Sequence, residues 1–362
     1  MIFSRMTQRA ARLRTPALLL LALLIMAVPA RAAEYAVEDG DAGDAKYQIV
    51  TPPKWNGKLL ILAHGLRPAD APLTAEFDHG KGTMLGDLLK EGWIVASTSF
   101  RHNGWITSEG ADDIAILRDK VVSVHGTPAT TIVLGTSMGG VIGTIVAERS
   151  DHKAYQGVLA VAAALGGEGD KNLSHTPQIP ILFLSNRSET AGPGAYVKAS
   201  FNGPAVPVLW TVNRDGHANM TEAEITEALH GLLKYIETGK IEAHKDATIN
   251  DPVPASTASF DGPSALNTVA HVDPIYGNIT TNFVAADLEK IGAKPGDKLA
   301  IRSGTKAIEA AWVKAYADVP QGEWLALVTA EGRVVIARNL ANAAAGLEVK
   351  AGDKVGLSVV KP

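Results

Sequence analysis

From about residue 35 onward, apolar positions fall into short, nearly continuous runs separated by stretches with helical spacing. Residues 46–51, 58–63, 93–99, 130–134, 158–164, 179–184 and 206–212 are rich in Val, Ile and Leu, and each reads as a strand. Between them, 83–90, 110–124 and 140–148 have helical spacing, with Ile114, Ile116, Leu117 and Val121 as the expected inner face of the second. Thr221 and Glu224 form a capping box that opens a helix running to about Glu237, with Ile225, Leu229, Leu232, Leu233 and Ile236 inward. Continuous apolar strands alternating with helices imply a doubly wound, mostly parallel sheet covered on both faces, hence an α/β fold.

Periodicity fades near residue 243. Asp251-Pro252-Val253-Pro254 and the Ser/Thr-rich stretch after it predict a linker over 243–266. Beyond it come short strands at 298–301, 323–328, 333–337 and 354–359, which predict a second, smaller, mostly-β domain over 267–362. The 362-residue length agrees with two domains, given about 100–200 residues each.

The first 32 residues have a different logic. Arg5, Arg9, Arg12 and Arg14 precede an apolar run at 17–28, and Ala30-Arg31-Ala32 places small residues at a cleavage site. This pattern predicts a Sec-type signal peptide over 1–32, export to the periplasm or beyond, and no stable membrane anchor after cleavage. Its removal takes away five arginines and no acid, so the formal charge moves from −4 to −9. An acidic chain without basic clusters is a poor partner for nucleic acid. With no cysteine, thiol chemistry, disulfides and lipoprotein anchoring are all excluded. The histidines have no metal-ligand spacing, so neither a metal nor any other cofactor is expected.

The most specific chemistry lies in Gly135-Thr136-Ser137-Met138-Gly139, between an apolar strand and a small-residue helix. In such a strand–turn–helix, the serine sits at a strained tip and the flanking glycines allow close backbone approach. A serine hydroxyl near neutral pH needs an imidazole to take its proton, and the imidazole needs a carboxylate to fix its tautomer. His64-Gly65 closes the strand 58–63, and His217 lies in Arg214-Asp215-Gly216-His217, between the last strand and the last helix of the sheet.

These residues resemble the α/β-hydrolase family over about residues 35–242. The resemblance implies a Ser–acid–His order, with Ser137 as nucleophile and His217 as base. It also puts the acid after the strand 179–184, where Glu189 is the first carboxylate, with Asp215 as a rival. The oxyanion hole would be the backbone N–H groups of Met138 and Leu66. The loop Arg101-His102-Asn103 follows strand 93–99 at the sheet's carboxyl edge, where ligands bind in such folds, so these three are candidate substrate contacts. Asp112 and Asp113 are expected at a helix start, where carboxylates suit the dipole.

A second resemblance lies in the C-terminal part. His271-Val272-Asp273-Pro274-Ile275-Tyr276-Gly277-Asn278 with Thr281-Asn282, and later Gly352-Asp353-Lys354-Val355, resemble the C-terminal barrel of the S-adenosylmethionine hydroxide adenosyltransferases over about 268–360. That implies a barrel-like domain and nucleoside contacts at Asp273, Asn278 and Asn282. Tyr276 stands where that family has Phe, and its N-terminal domain has no counterpart here, so adenosyl transfer is not expected. The family's interfaces make a homo-oligomer an expectation too. The leading expectation is an exported serine hydrolase with a small-molecule ester substrate. The alternatives are a serine peptidase of the same fold, and a non-catalytic binder of a nucleoside or S-adenosylmethionine.

Overall fold

The computed structural model describes residues 35–149, 153–167, 171 and 173–360, and the expected signal segment lies outside them. Each continuous apolar run forms a strand: β2 (Ala45–Thr51), β3 (Lys58–Ala63), β4 (Ile94–Thr98), β5 (Thr130–Thr136), β6 (Gly157–Val161), β7 (Ile181–Asn186) and β8 (Val208–Val212). All residues of β4, β6 and β7 are buried, as strands covered on both faces require. With an edge strand β1 (Ala36–Ala42) and a terminal β9 (His244–Asp246), they form a nine-stranded sheet of order β1-β2-β4-β3-β5-β6-β7-β8-β9. Pairing is parallel from β4 onward, while β2 runs antiparallel to both β1 and β4.

One face of the sheet packs on α2 (Thr107–His125), α3 (Met138–Arg149) and α4 (Ala191–Ala199) through Ile114, Leu117, Val121, Val141, Ile145 and Tyr196. The other face packs on α1 (Met84–Lys90) and α5 (Glu222–Thr238) through Leu88, Leu89, Ala228, Leu229 and Leu232. Thr221 caps α5 and the Glu224 side chain returns to its backbone, which completes the capping box.

Three expectations are corrected, and one helix adds to the expected set. Ile116 is 39% exposed, because it lies off the stripe that Ile114, Leu117 and Val121 share. Helix α2 begins at Thr107, so Asp113 falls in its second turn, buried and ion-paired with Arg101 instead of capping. The linker is shorter than 243–266, because β9 extends the first sheet through Asp246 while β10 (Ser259–Asp261) and β11 (Ser264–Val272) already belong to the second. Helix α4 forms despite its two glycines and a proline, since Tyr196 is buried and its hydroxyl donates to Glu148 at 2.8 Å.

The second sheet comprises β10, β11, β12 (Ile279–Val284), β13 (Lys298–Ser303), β14 (Lys306–Trp312), β15 (Trp324–Val328), β16 (Arg333–Arg338) and β17 (Lys354–Val359). Its order is β10-β11-β12-β16-β15-β14-β13-β17, and β17 pairs back to β11. The result is a closed seven-stranded barrel, which removes free sheet edges. The interior holds Phe283, Leu299, Ile301, Ile336, Val355 and Leu357, and short helices α6 (Ala285–Lys290) and α7 (Ala343–Leu347) close its flanks.

The loop after β8 is anchored by a buried ion pair. Arg214 donates to both carboxylate oxygens of Glu224 at 3.0 and 3.1 Å, and Glu224 is fully buried while also accepting from the Thr221 and Ile249 amides. Glu224→Ala strands the Arg214 cation, so the urea midpoint is expected to fall by the equivalent of about 3–5 kcal/mol. Unfolding curves that superimpose on wild type would contradict this assignment.

Candidate active site

Residues at the carboxyl ends of β3, β5, β7 and β8 converge here, the edge where open α/β sheets bind ligands. Ala63 and Gly135 pair across β3 and β5, so the His64–Arg67 segment leaves the sheet beside Ser137. Ser137 has φ 58°, in the left-handed region that L side chains avoid. The conformation is locked from both sides, since its amide donates to Val161 O at 2.9 Å and its carbonyl accepts from Gly140 N at 2.9 Å and Ala164 N at 3.1 Å. A Cβ at Gly139 would collide with the Ala63 carbonyl, and one at Gly135 with the Gly139 carbonyl, so only glycine fits at either position.

Ser137 Oγ lies 2.8 Å from His217 Nε2, and His217 Nδ1 lies 2.6 Å from Glu189 Oε2. A carboxylate only accepts, so the neutral imidazole carries its proton on Nδ1 and receives the Ser137 hydroxyl proton at Nε2. Glu189 sits in a 3-10 turn directly after β7, and His217 in the loop after β8. These two loops are stitched together. Asn186 Nδ2 donates to Asn219 O and Asn219 N to Asn186 Oδ1, both at 2.9 Å, while Ser188 Oγ contacts the Gly216 backbone. The rival acid, Asp215, faces away from this chain. It accepts from Arg187 Nε at 2.6 Å and Lys314 Nζ at 2.7 Å, and the two cations hold its carboxyl well below the usual range.

The amides of Met138 and Leu66 have no hydrogen-bond acceptor among the described residues. Met138 opens α3, where the first N–H groups have no intrahelical partner and the dipole favours negative charge. Behind Leu66, the His64 ring packs on Phe100, its Nδ1 is 2.7 Å from Gly65 O and its Nε2 is 3.1 Å from Ser99 O. Burial and the neighbouring Arg67 cation push its pKa down to about 4, against the pull of those two carbonyls.

The Arg101–Asn103 loop is largely tied inward. Arg101 makes three bonds to Asp113, at 2.6, 2.8 and 2.9 Å, and Asn103 is buried with its Nδ2 donating to Ala71 O at 2.7 Å. His102 is exposed. Trp105 of the same loop is 43% exposed, and the next residue's amide meets the Met138 sulfur at 3.4 Å. Among the described residues no cluster of His, Asp and Glu is arranged to hold a metal, and no helix is long and apolar enough to cross a membrane.

The C-terminal barrel carries the second set of candidate residues, Asp273 and Asn278 in the turn between β11 and β12 and Asn282 on β12. Its sequence decides its kinship. Residues 267–356 match the SAM hydroxide adenosyltransferase C-terminal domain. A fluorinase from Nocardia brasiliensis is 34% identical over 93 residues, which are 25% of this chain and 31% of that enzyme. The chain therefore spans about a third of that relative's length. Over the first sheet, an esterase from Pyrococcus furiosus superposes with a TM-score of 0.45 at 15% identity, covering 57% of this chain and 92% of that one. A putative dienelactone hydrolase from Klebsiella pneumoniae gives 0.43 at 14%, covering 56% and 99%. The strand order, the antiparallel β2 and the elbow after β5 themselves make the N-terminal region an α/β-hydrolase fold.

In the adenosyltransferase-type barrel, Asp273 Oδ1 accepts from the Ile275 and Tyr276 amides at 2.9 and 2.5 Å. Asn278 Nδ2 donates to the Tyr316 hydroxyl at 3.1 Å. Asn282 donates to Thr268 Oγ1 at 2.9 Å and accepts from Arg333 at 3.2 Å. The structure thus gives each of the three a bond inside the barrel.

The depressed pKa of His64 has a consequence for stability. Its unfolded value is near 6.5 and its folded value about 4, so the unfolded chain takes up the proton first as pH falls. The contribution is complete above pH 6.5 and is lost on acidification toward pH 4, by up to about 3 kcal/mol. His64→Asn should flatten urea-derived stability across that window, and an unchanged slope would count against the buried neutral ring.

Proposed function

We propose that the protein is an exported serine hydrolase that cleaves a carboxylic ester through an acyl-enzyme. The observation that carries this reading is the unbroken hydrogen-bond chain from Ser137 through His217 to Glu189, at 2.8 and 2.6 Å, with the serine at the strained elbow. Ser137 Oγ attacks the ester carbonyl carbon as its proton passes to His217 Nε2. The C–O bond to the leaving group then breaks, and the leaving oxygen takes that proton. Water repeats the sequence and releases the acid. Glu189 keeps the ring in the productive tautomer and stabilises the imidazolium.

The Met138 and Leu66 amides receive the developing oxyanion, and two such donors are worth about 3 kcal/mol each when preorganised. The chemistry needs no cofactor. Export follows from the N-terminal pattern of arginines, apolar run and small residues.

A fluorophosphonate probe is expected to label wild type at Ser137 and to leave Ser137→Ala unlabelled; equal labelling of the two would sink the assignment. Glu189→Gln is expected to lower kcat about 10²- to 10⁴-fold with little change in KM, because the ring loses its orienting carboxylate. Asp215→Asn should stay far closer to wild type, and the reverse ranking would transfer the acid's role to Asp215.

A further inference from the structure

The two loops that form the candidate site are not held by the hydrolase region alone. On the base side, Lys314 lies on the segment that follows β14 of the barrel, and its Nζ is 2.7 Å from Asp215 Oδ2. Asp215 Oδ1 in turn accepts from Arg187 Nε at 2.6 Å, and Arg187 lies in the same 3-10 turn as Glu189. A barrel lysine is thereby joined, through one carboxylate, to the loops carrying both His217 and Glu189. Asn219 Nδ2 also reaches the Val328 carbonyl of the barrel at 3.4 Å. Gly216, with φ 127°, lets the loop pass close to the barrel, since a Cβ there would stand 2.8 Å from the Asn219 side chain and 3.3 Å from the Lys314 carbonyl.

We infer that the barrel is a positioning clamp on the hydrolase site, with Lys314 steadying the two loops that carry His217 and Glu189. The inference rests on the serine hydrolase reading. Lys314 is a positioning residue: it acts through Asp215, which also holds Arg187 of the Glu189 turn. The Lys314 side chain is 66% exposed and Asp215's 24%, so this ion pair adds little to global stability. Its removal therefore separates alignment of the site from folding of the chain.

The test uses the full chain with p-nitrophenyl acetate as probe, alongside Ser137→Ala. Lys314→Met is expected to lower kcat about 3- to 10-fold, short of the roughly 100-fold cost of a full 1 Å misplacement. KM should move less than about twofold, urea midpoints should stay near wild type, and Lys314→Arg should restore kcat to within about twofold, because the second cation can still pair with Asp215. A kcat within about twofold of wild type for Lys314→Met, with Ser137→Ala inactive, would overturn the clamp and leave the hydrolase standing. A kcat loss that Lys314→Arg does not restore, or that tracks loss of folded protein, would overturn it equally. Absence of Ser137-dependent turnover in wild type would remove the hydrolase reading and the clamp with it.

Discussion

The backbone of Ser137 is the constraint on which the rest of the site depends. A non-glycine residue at φ 58° costs on the order of 1–3 kcal/mol and persists only where its surroundings over-determine it. Here they do. Three backbone hydrogen bonds, from β6, from the start of α3 and from the segment after β6, hold the residue on all sides. Two glycines let the helix start press against the end of β3. The strained residue is thus the point at which three strands and a helix agree.

The imidazole arrives by a different route. Its loop is fixed by polar contacts: Arg214 to Glu224, Asn186 to Asn219, and Ser188 to Gly216. Polar fixation is directional, which suits a ring that must present one nitrogen to a carboxylate and the other to a hydroxyl. Satisfied networks of this kind specify a single arrangement, whereas apolar packing would permit several.

The barrel places its own polar groups where that network ends. Its kinship lies with a domain that in its relatives accompanies different chemistry, yet Asp273, Asn278 and Asn282 are all bonded within the barrel here. Lys314 and Val328 meet the hydrolase loops instead.

What the chain determines by itself is local. Continuous Val/Ile/Leu runs mark β2 to β8 because a strand covered on both faces has no polar side, and the Thr221–Glu224 box marks the start of α5 because orphan amides need acceptors within a few residues. The elbow was legible for the same reason, as its glycines and serine act within one turn, whereas the order Ser137, Glu189, His217 came from the α/β-hydrolase resemblance. Other elements were illegible. Strand β1 is acidic and exists through its pairing with β2; α4 contradicts its own propensity and exists through Tyr196. Asp113 reads as a cap, yet it is buried to meet Arg101, and the expected linker turned out to hold strands of both sheets. Which carboxylate faces His217, and which barrel residues touch its loop, were decided only by tertiary structure. The residues concerned lie 28 positions apart for Glu189 and His217, and 99 for Asp215 and Lys314. No periodicity spans such a distance; packing of the sheet and closure of the barrel do.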